Sequence, residues 1–276
     1  MVRNKMPYKE GRGTKLYYKI IGEGIPTVIL HGWGVDHRLM TGCMEPVFDQ
    51  AGGDFKRIYI DLPGMGLSKP GKDIHDSHDI LRILYDLLDE LIPGEPFLLI
   101  GESYSGYLAR GILKERMSLV KGLILLCPLM VPGIRQGTVV PYTVIECDHS
   151  FLSTLSQTER DSFTYLNVRL TKEVWERFKE QVQSGILTQD SHFLTEVLQA
   201  ELPYDVDELP KPYMGPTLII TGKQDTEVGY MDQFELQKQY CNGTYIAIAY
   251  GGHGVQIEQP EIFTGVVKGW LDAHFS

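Results

Sequence analysis

Cysteine is sparse in this chain. There are 4 in 276 residues (Cys43, Cys127, Cys147 and Cys241), and none forms a C-x-x-C pair. That excludes paired-cysteine zinc sites and thioredoxin-like redox chemistry, and a chain this long needs no disulfide framework. A reduced, cytoplasmic protein is expected. Long apolar runs are also missing: the longest, from Gly122 to Val131, is too short to cross a bilayer, and the opening MVRNKMPYKEGRGTK holds no apolar core for a signal peptide. Positive charge is in deficit, with 26 Lys and Arg against 36 Asp and Glu, a net charge of −10 and a pI near 5.3. Nucleic acid and anionic membranes both need basic surface, so neither is an expected partner. There is no H-E-x-x-H, no dinucleotide-binding glycine pattern and no phosphate loop, so no metal and no organic cofactor is expected. Internal repeats and low-complexity tracts are absent too.

What remains is an ordinary globular composition, 43 % apolar and 22 % charged, in a length suited to one large domain with an insertion. Short branched apolar runs predict strands over Leu16–Ile21, Thr27–Leu30, Arg57–Ile60, Phe97–Ile100, Gly122–Leu126, Thr217–Ile220 and Thr244–Ala249. Helical spacing predicts helices over Leu81–Leu91, which Pro93-Gly94 stops, and over Tyr104–Lys114, Tyr230–Tyr240 and Glu261–Phe275. Strands alternating with helices imply an α/β fold, a mostly parallel, doubly wound sheet with helices on both faces.

The alternation breaks between Pro128 and Pro216. Ser156-Gln-Thr-Glu159 is a capping box, Thr171 can cap a helix running to about Gln183, and Asp190 or Ser191 can cap another. Residues 129 to 215 carry 7 basic and 13 acidic side chains, a net charge of −6. The expected organisation is a core of residues 1–128 and 213–276 with a helical cap, or lid, over 129–212. An insertion between core strands should lie over their carboxyl ends, where open α/β sheets bind ligands.

The segment richest in chemistry runs from strand Phe97–Ile100 through Gly101-Glu102-Ser103-Tyr104-Ser105-Gly106 into a helix. A serine on a sharp strand-to-helix turn stands out from the sheet, and small neighbours are needed because the two backbones approach closely. Ser103 is therefore the candidate nucleophile; the bland alternative is that it only caps the helix. The fifth position of the G-x-S-x-G pattern is Ser105 rather than glycine, which bears on how tight the turn is. A serine needs a base held by an acid. His253, in Gly251-Gly252-His253-Gly254 after the strand Thr244–Ala249, is the candidate base. Asp225, just beyond the strand Thr217–Ile220, is the candidate acid, with Glu227 as its neighbouring competitor.

The order Ser…Asp…His, together with His31-Gly32-Trp33-Gly34, Asp61-Leu-Pro-Gly-Met-Gly-Leu-Ser68 and the turn at Ser103, resembles the α/β-hydrolase superfamily over nearly the whole chain after residue 14. The resemblance implies the α/β-hydrolase fold and assigns His31-Gly32-Trp33 to an oxyanion hole, with the Trp33 and Tyr104 N–H groups as donors. His31 is read as a brace for that loop, and Asp61 to Ser68 as a structural turn. The Trp33 ring either lines the pocket or packs under the cap. Phe163, Tyr165, Trp175, Phe178 and Phe193 are read as cap core.

Related dehalogenases and epoxide hydrolases place Asp at the elbow, and this chain has Ser103. The expected reaction is therefore acyl transfer to water, with a small carboxylic ester as the small-molecule substrate. Amide cleavage and carbon–carbon cleavage remain alternatives, as does a receptor whose triad is idle. Gly101-Glu102-Ser103-Tyr104 also matches the elbow of serine carboxypeptidases, which would make Glu102 a partner for a peptide carboxylate at acid pH. Activity should fall on acidification through a histidine pKa near about 6.5.

Overall fold

The computed structural model describes residues 8–130, 138–198 and 205–276. Ten strands are present among them: β1 (Tyr8–Gly11), β2 (Thr14–Ile21), β3 (Ile25–Leu30), β4 (Phe55–Ile60), β5 (Phe97–Glu102), β6 (Val120–Leu126), β7 (Glu146–Cys147), β8 (Arg169–Leu170), β9 (Tyr213–Gly222) and β10 (Tyr240–Ile248). Eight of them form one sheet in the order β1-β2-β4-β3-β5-β6-β9-β10. From β4 to β10 the pairing is parallel, while β1 and β2 run antiparallel at one edge.

The two-residue period of the strands sorts their side chains onto two faces. Val28 and Leu30 of β3, Leu99 of β5, and Leu123 and Leu125 of β6 enter one core with the apolar faces of α2 (Ser77–Leu91) and α3 (Tyr104–Arg116). Their sequence neighbours Ile29, Leu98, Ile100, Ile124 and Leu126 enter the other, with α1 (His37–Phe48) and α10 (Pro260–Phe275). Helices thus cover both faces, as expected from the alternation of strands and helices. Full burial of each Leu, Ile or Val stabilises the fold by about 1.5–3 kcal/mol.

Helix α1 is not among the helices expected from the sequence. Pro46 in its interior lacks an N–H, which makes the segment look like a poor helix. Nevertheless Leu39, Met40, Cys43, Met44, Val47 and Phe48 bury one face, and the Asp36 carboxylate caps the start by accepting from Arg38 N at 2.9 Å. The polar edge strand β1 was also missed.

Between β6 and β9 the described residues are mostly helical: α4 (His149–Leu152), α5 (Gln157–Leu166), α6 (Lys172–Phe178) and α7 (Ser184–Ile186), with the short pair β7–β8 among them. The capping box at Ser156 and Glu159 and the Thr171 cap form as expected. The helix from Thr171 widens into a π turn over Lys179–Gln183, and Asp190 caps a second π segment at Phe193. Parts of the expected cap, 131–137 and 199–204, lie outside the described residues. Trp175 stacks on Phe178, with Phe163 set edge-on to the first ring and tilted against the second, all ring centroids 5.3–5.7 Å apart, and the three join the core shared with α1 and α10. Phe193 joins the opposite core, whereas Tyr165 is exposed. In the last part of the chain, α8 (Met231–Leu236) is shorter than the helix expected over Tyr230–Tyr240, because a 3-10 turn follows it. Helix α9 (Val255–Glu258) fills the gap between β10 and α10.

Candidate active site

The loops leaving the carboxyl ends of β3, β5, β9 and β10 meet at one point. Ser103 follows β5 directly, with φ 50° and ψ −116°, a backbone conformation that L residues rarely adopt. Such strain costs about 1–3 kcal/mol and persists only where the surroundings enforce it. Here Ser103 N donates to Leu126 O at 2.9 Å, and Ser103 O accepts from Gly106 N and Leu129 N, both at 2.8 Å. Glycine is required on either side: a Cβ on Gly101 would lie 2.3 Å from Ser105 O, and one on Gly106 would lie 2.5 Å from Pro128 Cβ. The small residue needed after the turn is therefore Gly106, which frees position 105. Ser105 uses that freedom to donate its buried hydroxyl to His31 O, tying the turn to the β3 loop.

His253 Nε2 faces Ser103 Oγ at 2.9 Å, and its Nδ1 meets Asp225 Oδ2, also at 2.9 Å. The other oxygen of Asp225 accepts from Glu227 N at 2.8 Å and Val228 N at 3.0 Å, which fixes the buried carboxylate. Glu227 thus contributes its backbone amide to the site, while Asp225 makes the contact with the imidazole. Burial opposes charge on His253, but Asp225, Glu102 and Glu227 outweigh it and push its pKa up to about 9. The unperturbed value near about 6.5 expected from the sequence does not survive those three carboxylates.

The loop carrying His253 is held by Glu258, a residue the sequence reading did not single out. Its Oε2 accepts from Gly252 N at 2.6 Å, and its Oε1 accepts from Val168 N at 2.6 Å and Arg169 N at 3.0 Å. One buried carboxylate therefore joins the histidine loop to the segment after α5. No signal in the sequence around it marks this role.

His31 is fully buried. Its Nδ1 meets Gly32 O at 2.7 Å and its Nε2 accepts from Leu62 N at 3.1 Å, while burial lowers its pKa. A neutral imidazole bridging two loops matches the bracing role expected of it. Asp61 accepts from His37 N and Leu67 N, as a turn-fixing residue does. Trp33 packs edge-on against Tyr104, with ring centroids 5.1 Å apart, and also lines the cavity beside Ser103. Tyr104 opens α3, so its N–H has no acceptor within the helix.

That cavity is walled by Gly32, Trp33, Val35, Leu39, Glu102, Ser103, Leu166, Asn167, Phe178, Val182, His253, Gly254, Gln256 and Ile257. It spans about 430 Å³ free of atoms, part of it open to solvent. Phe178, read as cap core, also forms part of this wall. Glu102 lies buried beneath the serine with Oε1 3.8 Å from His253 Nε2, and burial pushes its pKa up to about 7 against the pull of His253. Among the described residues, two clusters bring potential metal ligands together, Cys127–Asp225–His253 and Asp36–His37–Asp61. In both, the carboxylates are already engaged: Asp225 with His253 and two amides, Asp36 with Arg38, Asp61 with His37 and two amides. Burial holds the Cys127 thiol protonated.

Known proteins share this architecture. A pimeloyl-[acyl-carrier protein] methyl ester esterase of Legionella pneumophila is 23 % identical over 244 residues, covering 88 % of this chain and 93 % of that protein. Among solved structures, an alpha/beta superfamily hydrolase from Oenococcus oeni superposes with a TM-score of 0.83 at 26 % identity, covering 97 % of this chain and 98 % of that one. A thermophilic esterase from Thermogutta terrifontis shares the fold at a TM-score of 0.69 and 21 % identity, over 95 % of each chain. The sequence model of the alpha/beta hydrolase family matches residues 27–265. With that match spanning most of its length, this chain belongs to the alpha/beta hydrolase family.

Proposed function

We propose that this protein hydrolyses small carboxylic esters through an acyl-enzyme, with Ser103 as nucleophile, His253 as base and Asp225 as the acid that orients it. The observation that carries this reading is the hydrogen-bonded chain Asp225–His253–Ser103, with both links at 2.9 Å, opening onto a cavity. Asp225 holds Nδ1 of the ring, so Nε2 is free to take the serine proton. Ser103 Oγ attacks the ester carbonyl, and the imidazolium then protonates the departing alkoxide. A water molecule, deprotonated by the same nitrogen, attacks the acyl-enzyme and releases the acid. The Trp33 and Tyr104 amides are the oxyanion donors in this reading, and donors of this kind typically contribute 10²–10³ in kcat.

Esterase names among the relatives support an ester over an amide or a carbon–carbon bond. Residues 129–212 act as the lid in this reading, because Leu166, Asn167, Phe178 and Val182 from that segment wall the cavity above the serine. A cytoplasmic location is supported by four free cysteines. Among the described residues, no helix is long and apolar enough to cross a membrane.

The test is a steady-state screen of short-chain esters, matched amides and diketones, with Ser103→Ala as control. Ester turnover that disappears in the variant supports the reading. Turnover of amides or diketones alone moves it to another acyl substrate, and turnover that persists in Ser103→Ala overturns the assignment of the nucleophile.

A further inference from the structure

Arg110 is fully buried, and among the described residues it is the only buried Lys or Arg. It stands on α3, about two turns after Ser103, and it is not part of the cavity wall. A cation taken out of water is costly unless its donors are paired. Here Nε donates to Asp207 Oδ1 at 2.8 Å, and Nη1 donates to Leu129 O at 3.0 Å and to Gly106 O at 3.2 Å. Leu129 and Gly106 are the same two residues whose N–H groups hold Ser103 O, each at 2.8 Å. Gly106 lies within α3, where the helix itself fixes it. Leu129 follows β6 and belongs to no helix or strand, so the guanidinium is what anchors its carbonyl. Asp207 lies near the other end of the same β6–β9 connection, where Lys114 Nζ also donates to Asp205 O at 2.7 Å. One buried guanidinium therefore joins both ends of that connection to the turn carrying Ser103.

We propose that Arg110 is a positioning residue for the nucleophile: it holds Leu129 so that the Leu129 N–H supports the unusual backbone of Ser103, while Asp207 anchors the guanidinium. The inference rests on the reading of Ser103 as nucleophile. At φ 50° and ψ −116° the serine backbone persists only while its surroundings enforce it. With Leu129 released, the turn relaxes and Oγ shifts relative to His253 Nε2, which it faces at 2.9 Å. A misplacement of about 1 Å between reacting groups costs about a hundredfold in rate. A guanidinium serves the carboxylate and the carbonyls with separate nitrogens, whereas a lysine ammonium is one point charge. Arg110→Lys therefore keeps the charge and loses the bridge.

The first readout is the Tm in a cycle of wild type, Ser103→Gly, Arg110→Lys and the double variant. Glycine accepts the backbone conformation of position 103 at little cost, so Ser103→Gly relieves strain only where the turn is still enforced. The Tm change on Ser103→Gly should be at least about 2 °C more favourable in the wild type than in Arg110→Lys. A role in packing or charge balance alone predicts additive changes. The second readout is steady-state hydrolysis of a short-chain ester by Arg110→Lys. Its kcat should fall at least about fivefold, with KM within about twofold of wild type, because Arg110 lies off the cavity wall. Asp207→Asn removes the anchor from a less buried position, and it is read in the same two ways if Arg110→Lys does not fold. Additive Tm changes overturn the proposal, as does a smaller fall in kcat or a loss carried by KM. Wild-type protein that turns over no ester overturns the ester-hydrolase reading alone, and the Tm cycle then decides on Arg110 by itself.

Discussion

Glu102 offers a quantitative test of the electrostatics around the base. Its Oε1 lies 3.8 Å from His253 Nε2, the nitrogen that must be unprotonated to accept the serine proton. A unit charge at that distance is worth about 4 kcal/mol at an effective dielectric of about 20, and about 1 kcal/mol in a water-like medium. At about 1.4 kcal/mol per pKa unit, removing the charge should lower the histidine by roughly one to three units. Glu102 titrates near about 7 and His253 near about 9, so the carboxylate is ionised where the histidine loses its proton and its full charge acts. The sign is fixed: a raised histidine pKa keeps the base protonated, so kcat/KM of the wild type should climb with pH up to about 9. In Glu102→Gln the same rise should be complete one to three units lower, which makes the variant the better enzyme near neutrality. The assay is kcat/KM for a soluble ester from pH 5 to 10, with Ser103→Ala as the blank. Superimposable profiles for wild type and Glu102→Gln would refute the coupling between the two residues.

Asp225→Asn should cut kcat by about 10³–10⁴ because the imidazole loses its fixed tautomer, while Glu227→Gln, whose backbone amide makes the contact, should stay within a few-fold of wild type; the reverse pattern in steady-state kinetics would reassign the acid. Glu258→Ala strands the amides of Val168, Arg169 and Gly252, and urea unfolding should show a loss of at least about 3 kcal/mol together with a fall in kcat, since Gly252 adjoins His253; unchanged stability contradicts the clamp. Gly106→Ala places a methyl group 2.5 Å from Pro128 Cβ and should cost about 1–3 kcal/mol by the same method. His253 and Glu102 both have folded-state pKa values above their ordinary ones, so the stability tied to their protons is lost as pH rises. For Glu102 the loss runs from about 4.5 through about 7, and for His253 from about 6.5 through about 9. The Tm should therefore decline between pH 5 and 9, and the decline should be shallower in Glu102→Gln; a Tm that rises over this range contradicts both shifts.

Much of the fold was legible because its strands are short branched runs whose alternate residues feed two cores, and because residues such as Pro93 and Gly94 mark where helices stop. Helix α1 was less so: its single proline and mixed Met, Cys and Thr content mask an apolar face that Leu39, Met40, Cys43, Met44, Val47 and Phe48 nonetheless supply at helical spacing. The three residues of the Asp225–His253–Ser103 chain were readable because each sits on a loop leaving a recognisable strand. Ser105 looked like a defect in the elbow, and its bond to His31 O becomes visible only when β3 and β5 are placed side by side. Glu258 and Asn167 had no local signature. Glu258 acts on Val168, 90 residues away, and Asn167 reaches the cavity only because the segment at the end of α5 lies against the histidine loop. The histidine pKa depends in the same way on Glu102 at the end of β5 and on Asp225 and Glu227 in the loop after β9.

The central claim is that Ser103 is an activated nucleophile. It is tested most directly by treating the folded protein with a fluorophosphonate and recording its intact mass. The account predicts one adduct on the wild type, mapped to Ser103 by peptide mass spectrometry and absent from Ser103→Ala. Folded wild-type protein that stays unlabelled over the whole range from pH 7 to 10, or an adduct that persists in Ser103→Ala, would contradict it.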